Sequence, residues 1–303
     1  MNDVIRLWEL PDAAEYMIAG WHQWADAGNV SSGLPKYLIE QTAARRIGEM
    51  APDGFYLFQI PGAHHLLRPV VKLSEGYRES LERRGNEFFY AGDDKRGFVV
   101  FLGEEPHLNE ERYAEAFFDA VEALGIKRVA ALGGVHAPVP YNKERDISCV
   151  YSLPGMRAEL AEYAVRFSDY EGGATISTYL ADRAESRGIE FFSFYAFVPA
   201  YDFSQSSVLV QQVAMEEDFK AWYDLMRRLD HMFNLNVRLS DLARRSARLV
   251  REWETKLEHL ARAMPQLGVE SYLQEVNAEF TESQFMPFRD LWEEELEDLL
   301  ENL

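Results

Sequence analysis

One helix-to-strand unit, between Asn109 and Tyr141, constrains the fold more than any other stretch of this sequence. From Asn109 onward apolar residues recur every three or four positions, which predicts an amphipathic helix. Gly125 ends this helix, because glycine is the usual residue just past a helix C-terminus. The apolar run that starts at Ile126 follows at once and stops at two glycines and a proline-containing loop. We therefore predict a helix, a buried strand and an unusual turn in succession.

Short apolar runs and helical patterns alternate in the same way up to Ser204. The predicted strands are 16–21, 55–60, 70–73, 88–91, 98–102, 126–132, 147–151 and 189–198, of which 88–91 and 98–102 are expected to form a hairpin. The predicted helices are 35–47, 75–84, 109–124, 153–165 and 175–187. Parallel strands need crossover helices, so the alternation predicts an α/β fold with a mostly parallel central sheet covered by helices on both faces.

The pattern changes after Ser204, where helical spacing continues and no further strand is predicted. Residues 208–233 and 239–264 both carry apolar side chains every three or four positions, and a third helix is expected near Tyr272. We therefore predict an α/β domain over 1–204 and an all-helical region over 205–303, packed on that domain or on a neighbouring subunit. Packing within the chain is favoured over an intermolecular coiled coil, because the heptads are too few.

The charge balance argues against a nucleic-acid partner. Asp and Glu number 51 against 31 for Lys and Arg, a formal charge of −20 that repels a phosphate backbone. The arginines between Arg244 and Arg251 are followed by glutamates, which is typical of a solvated helix face. No apolar run approaches the roughly 18 residues that a membrane span needs. We expect neither nucleic acid nor membrane as a partner.

The single cysteine bears on the compartment and on reactivity. Cys149 has no partner for an internal disulfide, and the first residues do not resemble a signal peptide, so we expect a cytoplasmic protein. Because Cys149 lies within an apolar run, we expect a core residue rather than a nucleophile.

Three loops follow predicted strands and are the expected place for a site. In parallel α/β sheets ligands bind beyond the carboxyl ends of the strands, so loops 21–33, 133–141 and 199–203 should form one rim. The candidate residues on this rim are Trp21, His22, Asp26, Asn29, Ser31, Ser32, Gly133, Gly134, His136, Tyr201 and Asp202.

Two interpretations of these loops are open. In the functional one, His136 is an acid or base that Asp26 orients, and a serine at the helix start holds an anion. In the structural one, small and proline-rich loops shape tight turns and a packed rim, and we favour this interpretation. Sequence distance does not establish that His136 and Asp26 meet.

No known sequence motif distinguishes the functional interpretation of these loops from the structural one. Leu34 and Pro35 stand where a phosphate loop needs Lys and Ser or Thr, and Gly133 and Gly134 lack the third glycine of a dinucleotide fingerprint. Neither GxSxG nor HExxH is present. The neighbouring histidines 64 and 65 would point to opposite sides of an extended segment. We therefore expect no cofactor and no metal, and the residues alone favour a non-enzyme without deciding the question.

Several of these motifs together resemble the bacterial branch of the proteasome assembly chaperone 2 (PAC2) family. The residues that carry the resemblance are Gly20 and Trp21, then Asp26, Ala27 and Gly28, then Gly133, Gly134 and Pro138, and last Pro199 and Tyr201. Their order and spacing match up to about Leu239. This sequence inserts residues 22–25 between the first two pieces.

The resemblance implies a three-layer α/β sandwich similar to the nucleoside phosphorylase and peptidyl hydrolase-like folds, with no established catalytic activity. It also implies a homo-oligomer, for which a trimer is one candidate, and an unidentified protein partner. Eukaryotic relatives pair with a partner chaperone, help to assemble the proteasome α-ring and dock through a hydrophobic-Tyr-any tail. Because this chain ends in Glu301, Asn302 and Leu303, we expect no such docking.

Three functional hypotheses follow. The first is a non-catalytic, oligomeric interaction or assembly protein with chaperone-like character. The second is a phosphorylase- or hydrolase-like enzyme that uses the three-loop rim, with His136 as acid or base and Asp26 beside it. The third is a small-ligand sensor that keeps the rim without the chemistry. The acidic segment 291–301 is expected to form an amphipathic terminal helix with a solvated face, or else a docking element.

Overall fold

The strands of the computed structural model form one large sheet and one small hairpin. Residues 3–22, 24–58, 68–81, 85–93, 95–204 and 212–286 are described by the structure. Within them the strands are β1 (Ile5–Leu7), β2 (Ala14–His22), β3 (Arg45–Met50), β4 (Val71–Ser74), β5 (Tyr77–Leu81), β6 (Glu87–Gly92), β7 (Gly97–Glu104), β8 (Arg128–Ala137), β9 (Ile147–Tyr151), β10 (Arg166–Phe167), β11 (Glu190–Asp202) and β12 (Gln212–Ala214).

The helices lie on both faces of the large sheet. They are α1 (Gly33–Gln41), α2 (Glu110–Ala123), α3 (Arg157–Leu160), α4 (Ile176–Arg187), α5 (Phe219–Phe233), α6 (Ser240–Ala263) and α7 (Val269–Glu279). Single 3₁₀ turns occur at Ala27–Asn29, Pro154–Met156, Ala161–Tyr163 and Pro265–Leu267.

The strand order of the large sheet is β1, β3, β6, β7, β2, β8, β11, β9, β10, and β12 pairs with β11. The four central strands β7, β2, β8 and β11 are parallel neighbours. The flanking strands β6 and β9 run antiparallel to them, and β6 and β7 form the predicted hairpin. The predicted α/β fold, with a mostly parallel central sheet and helices on both sides, is confirmed.

Strand β8 lies at the centre of the parallel part, as its sequence indicates. It pairs with β2 on one side and with β11 on the other, in a register that runs from Arg128 opposite Glu190 to Ala137 opposite Pro199. Helices cover both of its faces, so the run needs apolar side chains at successive positions rather than at alternate ones. This is why the segment reads as continuously apolar.

Each face of the sheet has its own apolar core. On one face α2 packs Tyr113, Phe117 and Phe118 against the strands, and all three side chains are fully buried. On the other face α1 contributes Leu38 and α5 contributes Trp222. Each such side chain stabilises the fold by roughly 1.5 to 3 kcal/mol relative to an exposed position.

The last two helices pack on the same core as α5. The apolar stripe of α6 buries Leu242, Trp253 and Leu257, and the Trp253 ring lies 6.2 Å from the ring of Tyr201 at the end of β11. Helix α7 buries Val276 in the same cluster. The stripe therefore has a partner surface within the chain, whereas the division into 1–204 and 205–303 stays a prediction.

The predicted helix 75–84 is wrong over its described part. Strand β4 pairs with β5 in an antiparallel hairpin that turns at Glu75 and Gly76, both of which have positive φ (49° and 83°). The polar residues before Arg84 resemble a solvated helix, but a turn at Gly76 divides them into two extended pieces. Residues 82–84 lie outside the described part.

The predicted helix 35–47 is too long, and the strand 55–60 is not found. Helix α1 ends at Gln41 and Ala43 adopts a left-handed conformation (φ 49°), so Ile47 belongs to β3 instead. Neither β3 nor β1 was predicted. Residues 53–55 form a turn in which Phe55 is fully buried, residues 56–58 belong to no strand, and 59–60 lie outside the described residues.

Two further predictions need correction. Residues 153–165 form two 3₁₀ turns around the short helix α3 rather than one helix, because Pro154 and Gly155 open the segment and Ala164 is left-handed. A strand also returns after Ser204, since β12 pairs with the end of β11. The histidines 64 and 65, the acidic segment 291–301 and the last three residues lie outside the described part. Among the described helices, none is long and apolar enough to cross a membrane.

Candidate functional site

The first two predicted loops meet at the carboxyl ends of β2 and β8. Asp26 forms an isolated parallel bridge with Gly134, and the Gly134 amide donates to the carbonyl of Ala25 at 2.8 Å. The backbone segments approach so closely here that only glycine fits at Gly134 and Gly20. A β-carbon on Gly134 would lie 2.0 Å from the Ala27 carbonyl oxygen, and one on Gly20 would lie 1.7 Å from that of Ser31.

Asp26 holds the start of α1 in place. Its two carboxylate oxygens accept from the Ser32 amide at 2.9 Å and from the Ser32 hydroxyl at 2.6 Å. Burial raises the pKa of Asp26 above its ordinary value, while the two bonds from Ser32 act in the opposite direction. Both oxygens are thus already engaged by the loop itself, which is the arrangement of a loop anchor.

Trp21 and Ser31 belong to the packed interior rather than to a ligand surface. The Trp21 amide donates to the Ser31 hydroxyl at 2.9 Å, and the Trp21 indole donates to the Tyr113 hydroxyl at 2.8 Å. The indole packs between the rings of Phe101 and Phe117, at 5.5 and 5.8 Å. Trp21 is 3% exposed, so it offers little surface to a ligand.

The predicted pair of His136 and Asp26 is not formed. Both residues are described, and neither a hydrogen bond nor an ion pair joins them. Partial burial lowers the pKa of His136, which is nonetheless exposed to solvent beyond Gly134. His22 is also exposed and lies close enough to Asp26 to lower the pKa of that carboxyl slightly.

The third predicted loop is partly strand. Tyr201 is fully buried and donates its hydroxyl to the Val139 carbonyl at 3.0 Å, which ties loop 199–203 to loop 133–141. Asp202 is exposed and accepts from the Ser204 amide at 2.8 Å, a local turn contact. Asn29 adopts a left-handed conformation in the 3₁₀ turn (φ 49°). Each of these residues thus has a place in the architecture of the loops.

A buried ion pair that we did not predict fixes the second loop to α5. The guanidinium of Arg145 donates through Nε to the Asp218 carboxylate at 2.8 Å, and both side chains are completely buried. Its Nη1 donates to the carbonyls of Pro140, Tyr141 and Lys143. The charge of Arg145 therefore organises the loop that follows β8.

Asp218 also connects the first loop to the same helix. It is the N-cap of α5, where its carboxylate accepts from the amides of Lys220 and Ala221. Its own amide and the indole of Trp222 donate to the Gly28 carbonyl, at 2.9 and 3.1 Å. The start of α5 thus lies against both loops at once.

A second buried arginine extends this network. Arg228 donates to the Glu144 carboxylate at 2.7 Å and to the Tyr163 carbonyl at 2.8 Å. Asp224 accepts from the Arg145 amide at 2.8 Å, and burial raises the pKa of its carboxyl. The four buried charged side chains of this network are Arg145, Asp218, Asp224 and Arg228. Burying them is costly unless each is paired, and here each has a partner of opposite charge or a backbone donor.

A polar cluster on the other face of the sheet was also missed. The Glu105 carboxylate accepts from the amides of Ile176 and Trp24, at 2.8 and 3.2 Å, and so joins the first turn of α4 to the loop after β2. Burial raises the pKa of Glu105. The hydroxyls of Thr175 and Ser177 both lie 2.7 Å from the Tyr195 hydroxyl. Within the described residues, no group of acidic, histidine and cysteine side chains is arranged to hold a metal.

Comparison with known proteins gives the family. The sequence profile of the PAC2 family matches residues 20–258. The chain belongs to the PAC2 family. No protein of curated function matches it in sequence.

Solved structures of PAC2-like proteins share the fold. The proteasome-assembly chaperone homologue Rv2125 of Mycobacterium tuberculosis is 21% identical with a TM-score of 0.67, over 79% of this chain and 94% of that one. A PAC2 family protein of Streptomyces avermitilis is 22% identical with a TM-score of 0.67, over 85% and 98%. PbaB of Pyrococcus furiosus, an archaeal proteasome activator, is 18% identical with a TM-score of 0.59, over 84% and 98%.

The rim of this PAC2 family protein exposes large apolar side chains. Trp24 is 73% exposed, Phe58 62%, Leu108 43% and Val135 40%. Trp24 and Leu108 follow the adjacent strands β2 and β7, and Val135 lies near the end of β8. The Leu108 amide donates a hydrogen bond to the carbonyl of Phe55, which lies three residues before Phe58. These four residues, which we call the rim patch, lie at one end of the sheet. Clustered exposed apolar side chains are typical of interaction surfaces.

Proposed function

We propose that this protein is a non-catalytic, self-associating assembly protein of chaperone-like character, and that the rim patch is the surface through which it contacts protein. The exposure of Trp24 and Phe58 carries this proposal. A large apolar side chain in water forgoes the roughly 1.5 to 3 kcal/mol that its burial would contribute, so a cluster of them favours contact with another surface.

The residues of the predicted catalytic rim support a structural role instead. Asp26 is engaged by Ser32, and Trp21 is packed within the core. These groups position the loops that present the rim patch. The similarity to a protein described as a proteasome-assembly chaperone homologue, and to an archaeal proteasome activator, favours a protein rather than a small molecule as the partner.

The hairpin of β4 and β5 is a second feature that favours self-association. Every residue of both strands is exposed, including Leu73 at 59% and Tyr77 at 77%. A two-stranded hairpin is only marginally stable alone in water, so this one should gain stability from a second surface. We propose a second copy of the chain as that surface, with a trimer as one candidate state, in a cytoplasmic protein.

We also propose that residues 1–204 act as the α/β domain and 205–303 as a helical region packed on it. The contact between Tyr201 and Trp253 supports this arrangement.

Light scattering coupled to size exclusion tests the main proposal. We expect the wild-type protein to be larger than a monomer at micromolar concentrations, and the Trp24→Ser/Phe58→Ser variant to shift towards monomer. Leu10→Ser is the matched control, because Leu10 is 56% exposed but lies before β2 at the opposite end of the sheet. A wild-type protein that is monomeric throughout this range contradicts the proposal.

A further inference from the structure

A cleft of about 820 Å³ opens at the end of the sheet opposite the rim patch. It lies between the amino-terminal ends of β2 and β7, the end of α1 and the loop that follows α5. Sites for small molecules commonly enclose about 300 to 1,000 Å³. The cleft therefore has the size of a ligand site, and none of the described residues that line it belongs to the three predicted loops.

The cleft has an aromatic surface. Tyr16, Phe98 and Phe233 line it, and the half-buried ring of Tyr16 stacks on that of Phe233 with centroids 4.4 Å apart. Phe98 and Phe233 are only 4% and 5% exposed, so Tyr16 presents most of the aromatic surface of the cleft. Asn234, which ends α5 in a left-handed conformation, turns the chain so that the following loop forms one wall. The exposed part of the Tyr16 ring is where a flat apolar group has room to pack.

The charges around the cleft favour an anion. Lys95, Arg96 and Arg238 line it, and the side chain of each lacks a hydrogen bond or an ion pair to any other described residue. The two lining carboxylates are already engaged. Glu15 pairs with Lys127 at 2.5 Å, and Asp93 accepts from the backbone amides of Lys95 and Arg96 at 2.8 and 3.0 Å.

The excess of positive charge around the cleft contrasts with the negative charge of the whole chain. The chain carries a formal charge of −20, so most of its surface repels an anion. Among the described residues that line this cleft, three cations outnumber two carboxylates, and the charge of Arg96 also helps to lower the pKa of Asp93. Guanidinium groups bind carboxylates, sulfonates and phosphates through paired N–H donors, whereas an ammonium acts as a point charge.

We propose that this cleft binds a small organic anion that carries a flat apolar group. The apolar part lies against the exposed part of Tyr16. The anionic part meets Arg96 and Arg238. The site is independent of the rim patch and of self-association.

Fluorescence titration of the full chain with 8-anilinonaphthalene-1-sulfonate, an aromatic sulfonate, tests this proposal. We expect saturable binding to the wild type and at least tenfold weaker binding to Arg96→Ala/Arg238→Ala. Arg248→Ala/Arg262→Ala removes the same charge from exposed positions on α6 and should bind like the wild type within about twofold. Circular dichroism confirms that each variant is folded.

Two further measurements separate this site from others. N-Phenyl-1-naphthylamine has the same rings without the sulfonate, and its affinity should be insensitive to the loss of Arg96 and Arg238. Arg96→Lys/Arg238→Lys should recover part of the affinity for the sulfonate. Equal sulfonate affinity in the wild type and the double alanine variant overturns the proposal. Loss of binding in Trp24→Ser/Phe58→Ser alone also overturns it and assigns the dye to the rim patch.

Discussion

The Nε atom of Arg145 lies 2.8 Å from the Asp218 carboxylate, in a completely buried ion pair between residues 73 positions apart. It joins the loop after β8 to the first turn of α5. The guanidinium of Arg145 also donates to three backbone carbonyls, and the Asp218 carboxylate accepts from two backbone amides. The pair thus links the central sheet to the helices that follow Ser204.

Replacement of either partner should destabilise the protein strongly. We expect Arg145→Met to lower the free energy of unfolding by about 3 to 5 kcal/mol, because Asp218 would remain buried without its counter-charge. Urea denaturation followed by circular dichroism measures the change. Arg183→Met is the control, since Arg183 pairs with Asp182 at the surface and should change stability by less than about 1 kcal/mol. Equal losses in the two variants would contradict this explanation.

The stability contributed by Glu105 should fall as the pH rises. Burial raises the folded-state pKa of Glu105 above its ordinary 4.5, so the folded protein holds this proton more strongly than the unfolded chain does. The contribution is complete below pH 4.5 and is lost as the pH passes the folded-state pKa. Relative to Glu105→Gln, the wild type should therefore become less stable between pH 4.5 and neutrality, as measured by urea denaturation.

Glu159 provides the opposite case as a control. Its hydrogen bond and charge interaction with Arg128 lower its pKa below 4.5. Its contribution is present above pH 4.5 and is lost as the pH falls through the lowered value. Relative to Glu159→Gln, the wild type should lose stability on acidification. The same trend in both pairs would show that the local environments do not set these pKa values.

Gly134 should not tolerate a side chain. A β-carbon there would lie 2.0 Å from the Ala27 carbonyl oxygen, so Gly134→Ala must displace the loop that follows β2. We expect a loss of about 1 to 3 kcal/mol in the free energy of unfolding. Gly155→Ala is the matched control, because nothing lies within 4 Å of a β-carbon at Gly155. Urea denaturation of both variants distinguishes a specific clash from a general effect of the substitution.

The exposed hairpin should contribute to association rather than to the stability of one subunit. We expect Leu73→Ser/Tyr77→Ser to reduce the average mass in light scattering, while the thermal midpoint of the dissociated protein at low concentration stays unchanged. Both side chains are more than half exposed, so their replacement removes little packing within the chain. Unchanged mass at every concentration would place the contact between subunits elsewhere.

Local patterns predicted much of the central sheet and several helices. The helical spacing of apolar residues in α2, the glycine after it and the continuous apolar run of β8 are all patterns of neighbouring residues, so the sequence alone predicts them. Errors fell where the local signal was ambiguous. The polar segment around Gly76 fits a solvated helix as well as an exposed hairpin, and Ile47 continues the helical period of α1 although Ala43 ends it.

The candidate site was harder to predict, because it depends on which distant residues converge. The sequence placed Asp26 and His136 on one rim, but the chain directs the Asp26 carboxylate to Ser32. Arg145 and Asp218 lie in separate segments whose sequences show no complementary spacing. Lys95, Arg96 and Arg238 line one cleft only because the loop after α5 returns to the turn between β6 and β7.

The sequence alone determined the α/β class, the central place of β8 and the family, since these follow from periodicity, turn residues and the order of short motifs. The tertiary structure decided which charges are buried together, why Gly20 and Gly134 must lack side chains, and where a cleft opens. Periodicity is a property of neighbouring residues, whereas burial, ion pairing and close backbone approach depend on contacts between segments far apart in the chain.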